Sequence, residues 1–66
     1  MTLREKVVKV LRKRVKRFEK GGEEHGRVTQ VIRDLMGMPV NAPKAKIVEI
    51  LETTGTIKLI GDIHEL

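Results

Sequence analysis

The chain has 66 residues, no cysteine and a net charge of +5. A chain of this length forms a single domain, here residues 1–66, that buries about 60% of its unfolded surface. The composition excludes disulfides and thiolate metal sites, and the absence of any run of about 18 apolar residues excludes a membrane span, so we expect a cytoplasmic protein.

Residues 1–20 carry most of the charge. They hold nine Lys and Arg residues against two acids, for a net of +7, whereas residues 21–66 have a net of −2. Such asymmetry indicates an acidic partner for the N-terminal segment. Charge alone leaves open whether that partner is nucleic acid or an acidic protein. A membrane is not expected, because the apolar residues of this segment are needed to cover a small core.

The first segment has the pattern of an amphipathic helix. Thr2 and Glu5 form a capping box, and apolar residues recur at helical spacing as Leu3, Val7, Leu11, Val15 and Phe18. The pattern predicts about five turns ending at the glycine pair 21–22, with mobility relative to a body formed by residues 27–66. We expect a basic face on the opposite side that contacts the partner: Lys9, Arg12, Lys13, Lys16 and Lys20.

The middle of the chain predicts two further helices. Residues 23–26 indicate a polar loop, after which Thr29 can cap a short helix that ends at Gly37. Pro43 suits the first turn of a third helix, and Gly55 would end it.

The C-terminal residues predict a small sheet. Residues 56–60 are partly alternating and β-branched, which is typical of a strand, and residues 63–66 would form a short return strand after a turn. The expected fold class is therefore α+β, with three helices followed by a C-terminal β-hairpin.

The order of these elements resembles the winged helix-turn-helix family over Val28–Asp62. In this resemblance Thr29–Met36 corresponds to the positioning helix and Pro43–Thr54 to the recognition helix. The resemblance implies a DNA-binding transcription regulator. The basic residues at its reading helix and wing are Lys44, Lys46 and Lys58.

A second resemblance concerns small archaeal proteins that inhibit the DNA sliding clamp, PCNA, without the usual clamp-binding box. In Thr29–Met36, Thr29 stands in the place of the Gln of that box, Ile32 in that of the hydrophobic plug, and Leu35 and Met36 in that of the two aromatics. The length, the basicity and a thermophile-like lack of Ser, Cys, Tyr and Trp are also similar to those of such an inhibitor. The resemblance implies a regulator that occupies the partner-binding site of the clamp and blocks clamp-dependent replication. Met38 would extend the apolar contact.

Catalysis and metal binding are not expected. His25 and His64, with their neighbouring acids, lack a recognisable ligand spacing, and no Ser or Cys is present to act as a nucleophile. We therefore expect a non-enzymatic protein without cofactor or small-molecule substrate. A clamp inhibitor is the first hypothesis, and a winged-helix DNA-binding regulator is the alternative.

Overall fold

The computed structural model describes residues 1–66, and the chain is entirely helical. It contains α1 (Leu3–Val15), α2 (Glu23–Met36), α3 (Lys44–Thr53), α4 (Ile57–Ile60) and a final 3₁₀ turn (Ile63–Glu65). No residue lies in a strand. The predicted α+β class with a C-terminal hairpin is therefore wrong, and the winged-helix interpretation falls with it, because the wing of that fold is made of strands.

Helix α1 begins as predicted but ends earlier. The Thr2 hydroxyl accepts a hydrogen bond from the Glu5 amide at 3.3 Å, and the Glu5 carboxylate accepts one from the Thr2 amide at 3.3 Å. The helix ends at Val15, and the following turn brings Phe18 back to pack against the core. The predicted apolar stripe therefore faces the core although the helix is shorter than five turns.

Helix α2 begins at Glu23, so the predicted polar loop is wrong. Acidic side chains in a first helical turn are favoured by the positive end of the helix dipole, and Arg27 pairs with both Glu23 and Glu24, at 3.4 and 3.0 Å. Thr29 is consequently inside the helix and does not cap it. Its hydroxyl donates to the carbonyl oxygen of His25 at 2.8 Å. The helix ends at Gly37, as predicted.

Helix α3 lies where it was predicted but begins slightly later, because Pro43 precedes its first turn instead of standing in it. Pro43 is its N-cap in an extended conformation, and the helix runs from Lys44 to Thr53. Gly55 has a φ of 73°, in the left-handed region that favours glycine after a helix.

Residues 57–60 form a helical turn that follows the buried Thr56 and ends at the buried Ile60, and a local hydrogen bond closes its backbone. The Leu59 amide donates to the Thr56 carbonyl at 3.0 Å. Thr56 is almost fully buried, and its hydroxyl shares a hydrogen bond of 2.9 Å with that of Thr54. The turn directs Ile60 into the core, and Ile63 is buried in the 3₁₀ turn that follows. No return strand is left to pair with residues 57–60.

One hydrophobic core joins all the helices. It consists of Val7, Val8, Leu11, Val28, Val31, Leu35, Ala42, Ile47, Leu51, Ile60 and Ile63. Helix α1 contributes three of these side chains and packs against α2 and α4. In this structure α1 is part of the body, and its mobility in solution stays a prediction.

Candidate functional site

The basic face of α1 is open to solvent. Lys9, Arg12 and Lys13 are exposed on the helix, and Lys16 and Lys20 are exposed beyond its end. None of them forms an ion pair. The chain has two ion pairs, and Arg27 makes both of them within α2. The positive charge that the sequence concentrates in residues 1–20 is thus not neutralised by the acids of the body.

A first groove, of about 410 Å³, lies along this face beside the end of α2. Its lining comprises Met1, Arg4, Glu5, Val8, Lys9, Arg12, Lys13, Lys16 and Met36. Met36 is 52% exposed, and its Sδ lies 3.2 Å from Nη2 of Arg12, which donates to it. The fold therefore places an accessible apolar side chain next to four exposed cations.

Arg4 holds the end of α2 against α1. Its Nη1 donates to the carbonyl oxygens of Met36 at 3.1 Å and Met38 at 2.9 Å, and it reaches that of Leu35 at 3.5 Å. These hydrogen bonds fix Met36 at the rim of the first groove. The sequence shows Arg4 only as one more positive charge, because its partners lie more than thirty residues away along the chain.

The other predicted apolar residues do not share this surface. Leu35 is fully buried in the core, and Ile32 is half-buried and packs against it. Thr29 is half-buried with its hydroxyl bonded to its own helix, and Met38 is half-buried. Successive residues of a helix point about 100° apart, so α2 directs Leu35 inward and Met36 outward.

The alternative DNA-binding lysines lie in different surroundings. Lys44 and Lys46 are exposed in the first turn of α3, and Nζ of Lys44 contacts Nδ1 of His64 in the 3₁₀ turn. Lys58 is exposed on α4 and lines a second groove beside α1.

This second groove has a volume of about 380 Å³. It is lined by Arg14, Arg17, Phe18, Lys58, Leu59, Ile60 and Gly61, so it holds three cations and no acid. Nε of Arg14 donates to the Leu59 carbonyl at 3.3 Å. The sequence did not predict this groove, because Lys58 is distant from Arg14 and Arg17 along the chain. The three come together only because α4 packs against α1.

The capping box also affects the pKa of Glu5. The pKa of Glu5 is lowered from 4.5 by the hydrogen bond from the Thr2 amide and, next, by that from the Thr2 hydroxyl. The capping box therefore favours the ionised form of the Glu5 carboxyl group. Nowhere do three or more His, Asp or Glu side chains come together in a way that could hold a metal ion.

Comparisons with known protein families, with curated proteins and with solved structures found no match for this chain. None of its helices has the length and apolar character needed to cross a membrane. The surface features that bring exposed charge and apolar side chains together are the basic face with Met36 and the two grooves.

Proposed function

We propose that this chain is a non-enzymatic binding protein that docks its basic face and Met36 on an acidic surface of a partner protein. The observation that supports it most is the first groove, where exposed cations without ion pairs surround an accessible methionine. Complementary charge steers association and fixes orientation, while a buried apolar anchor provides affinity. Methionine adapts well to such contacts. The bound chain would mask the surface that it covers.

The candidate partner is the sliding clamp, PCNA. The resemblance of Thr29–Met36 to the clamp-binding box motivates this choice, and the different exposure of its residues supports different roles for them. Met36, with the accessible portion of Ile32, would enter the apolar pocket of the clamp, while Leu35 stays in the core. Helix α1 would lie across an adjacent acidic surface. Enzymes that depend on the clamp would then be excluded by competition, which inhibits replication, and the protein would act in the cytoplasm.

The test is surface plasmon resonance of a purified archaeal clamp with the chain and three variants, because this measurement gives both the Kd and the association rate. Met36→Ala removes the anchor and should weaken binding by about 1 kcal/mol or more, about fivefold in Kd. Joint replacement of Lys9, Arg12 and Lys13 by Gln should slow association and reduce its salt dependence. Val40→Ala is the matched control, since Val40 is 51% exposed and lines neither groove.

Two negative outcomes are possible, and they distinguish a wrong partner from a wrong docking surface. If the clamp does not bind the unaltered chain, the clamp is the wrong partner. If it binds and Met36→Ala has no more effect than Val40→Ala, the docking surface is wrong.

Duplex DNA is the second candidate for the same basic face, because cations without ion pairs also attract phosphates. Such binding would depend on charge more than on base sequence, since four of the five cations of the basic face are lysines, which hold phosphates as point charges. Titration of a duplex at several salt concentrations tests this. Binding that weakens with a log–log slope of about −0.9 for each phosphate contacted supports DNA, and no binding at low salt excludes it.

A further inference from the structure

The second groove differs from the first in that its lining contains no acid and includes an aromatic residue. Arg14, Arg17 and Lys58 supply its positive charge, and no acid offsets them. Its floor is formed by Leu59, Ile60 and the ring of Phe18, the one aromatic residue of the chain. Phe18 is only partly buried and lines the groove, so a ligand can reach it.

The cations of this groove are available to a ligand. Arg14 is oriented by the hydrogen bond from its Nε to the Leu59 carbonyl at 3.3 Å, and its two Nη groups have no partner within the chain. Arg17 and Lys58 are exposed and form neither ion pairs nor side-chain hydrogen bonds. A preoriented guanidinium with both terminal nitrogens free is well suited to a phosphate group.

We infer that the second groove binds a single strand of nucleic acid, with phosphates on Arg14, Arg17 and Lys58 and one base stacked on Phe18. Sites for single strands typically join a positive groove with an aromatic side chain on which a base stacks. The carboxylates of an acidic peptide would satisfy the charge, but only an accompanying aromatic residue could stack on Phe18, whereas every nucleotide carries a base. A duplex would satisfy the charge but keeps its base faces stacked within the helix.

The experiment titrates a labelled oligothymidylate of 15 nucleotides with the full chain and follows binding by fluorescence anisotropy at several salt concentrations. Phe18→Leu keeps an apolar side chain against the core and removes the ring, and should weaken binding about tenfold. Arg17→Gln and Lys58→Gln, made separately at these exposed residues, should also weaken binding. Each should reduce the salt slope by about 0.7 for each phosphate that is no longer neutralised. Lys46→Gln is the control, because it removes an exposed charge outside both grooves.

The inference is overturned if Lys46→Gln weakens binding as much as Arg17→Gln or Lys58→Gln alone, since that would indicate a general effect of charge. It is also overturned if Phe18→Leu, folded as judged by circular dichroism, binds as tightly as the unaltered chain. A duplex of the same length that binds more tightly than the strand would move the site to the basic face. Should Phe18→Leu not fold, the two surface variants still decide the question. None of these measurements involves the clamp, so failure here leaves the proposed function standing.

Discussion

Two arginines of α1 donate hydrogen bonds to main-chain carbonyl groups of other helices. Arg4 binds carbonyl oxygens at the end of α2, and Arg14 binds that of Leu59 in α4. The last carbonyl groups of a helix lack partners within it, and a positive charge near them is also favoured by the helix dipole. These two arginines therefore stabilise the fold, whereas the basic face remains free for a partner.

We expect Arg4→Ala to lower the free energy of unfolding by about 1 kcal/mol or more, because the carbonyl groups of Met36 and Met38 lose their donor. For a domain of this size, each 1 kcal/mol corresponds to a fall of about 4–8 °C in Tm. Lys9→Ala serves as the control, since Lys9 is exposed and makes no side-chain hydrogen bond. Equal Tm values for the two variants would show that the hydrogen bonds of Arg4 contribute nothing.

Glu5 should make stability depend on acid. The folded chain holds the pKa of Glu5 below its ordinary value of 4.5. The contribution of Glu5 to the free energy of unfolding is therefore complete above pH 4.5, and it is lost as the pH falls through the lower pKa of the folded state. We expect Thr2→Ala to move the pKa of Glu5, followed by NMR titration, up towards 4.5. The stability difference between the two proteins should shrink as the pH falls through the folded pKa. A pKa of Glu5 unchanged by Thr2→Ala would contradict this assignment.

At the scale of the elements, the first turn of α2 is the least expected part of the structure. It contains Gly26, and glycine in a helix is about 0.5–1 kcal/mol less favourable than alanine. The ion pairs of Arg27 with Glu23 and Glu24, together with the effect of the dipole on these acids, oppose this cost.

Gly26→Ala should therefore stabilise the protein by about 0.5–1 kcal/mol, because an added Cβ meets nothing within 4 Å. Gly21→Ala is the matched control. Its Cβ also meets nothing, but Gly21 has a φ of 89°, so alanine there should destabilise by about 1 kcal/mol. Denaturant unfolding measures both. If residues 23–26 were a loop in solution, Gly26→Ala would leave both stability and helical circular dichroism unchanged.

The elements that the sequence predicts well are those with local causes. The start of α1 depends on the capping box of Thr2 and Glu5, and the start of α3 on Pro43, so both could be identified from neighbouring residues. The β-branched run at residues 56–60 predicts a strand only if another strand pairs with it. Burial of Thr56 and Ile60 instead favours a helical turn, and this burial depends on tertiary packing.

The candidate site divides in the same way. The exposure of Lys9, Arg12 and Lys13 follows from the helical period, so it was predictable, whereas Lys16 and Lys20 lie beyond the end of α1. The two grooves were not, since they depend on where the fold places Met36 and Lys58. The helical period could also have shown that Leu35 and Met36, as adjacent residues, would point in different directions.

At the scale of the whole molecule, stability depends on a small core. A domain of this length has a free energy of unfolding of about 3–10 kcal/mol, and eleven buried side chains supply its core. Leu11 is fully buried where α1 meets the other helices.

Leu11→Ala should consequently cost about 2–5 kcal/mol, a large fraction of the total. Thermal unfolding followed by circular dichroism would reveal it, with the exposed Met36→Ala as the control. This variant also tests the predicted mobility of residues 1–20. If α1 were detached in the free protein, removal of the Leu11 side chain would leave the Tm of the remaining body unchanged.

The scarcity of ion pairs has a consequence for the conditions under which the protein is most robust. Its charged composition is common among heat-tolerant proteins, yet only Arg27 forms ion pairs, and the lysines and arginines of α1 repel one another. Counterions weaken that repulsion, with a screening length of about 10 Å at 0.1 M salt. Dissolved salt should therefore stabilise the fold, and so should any polyanion that binds to α1. The protein should unfold most easily when it is unbound in a buffer of low salt concentration.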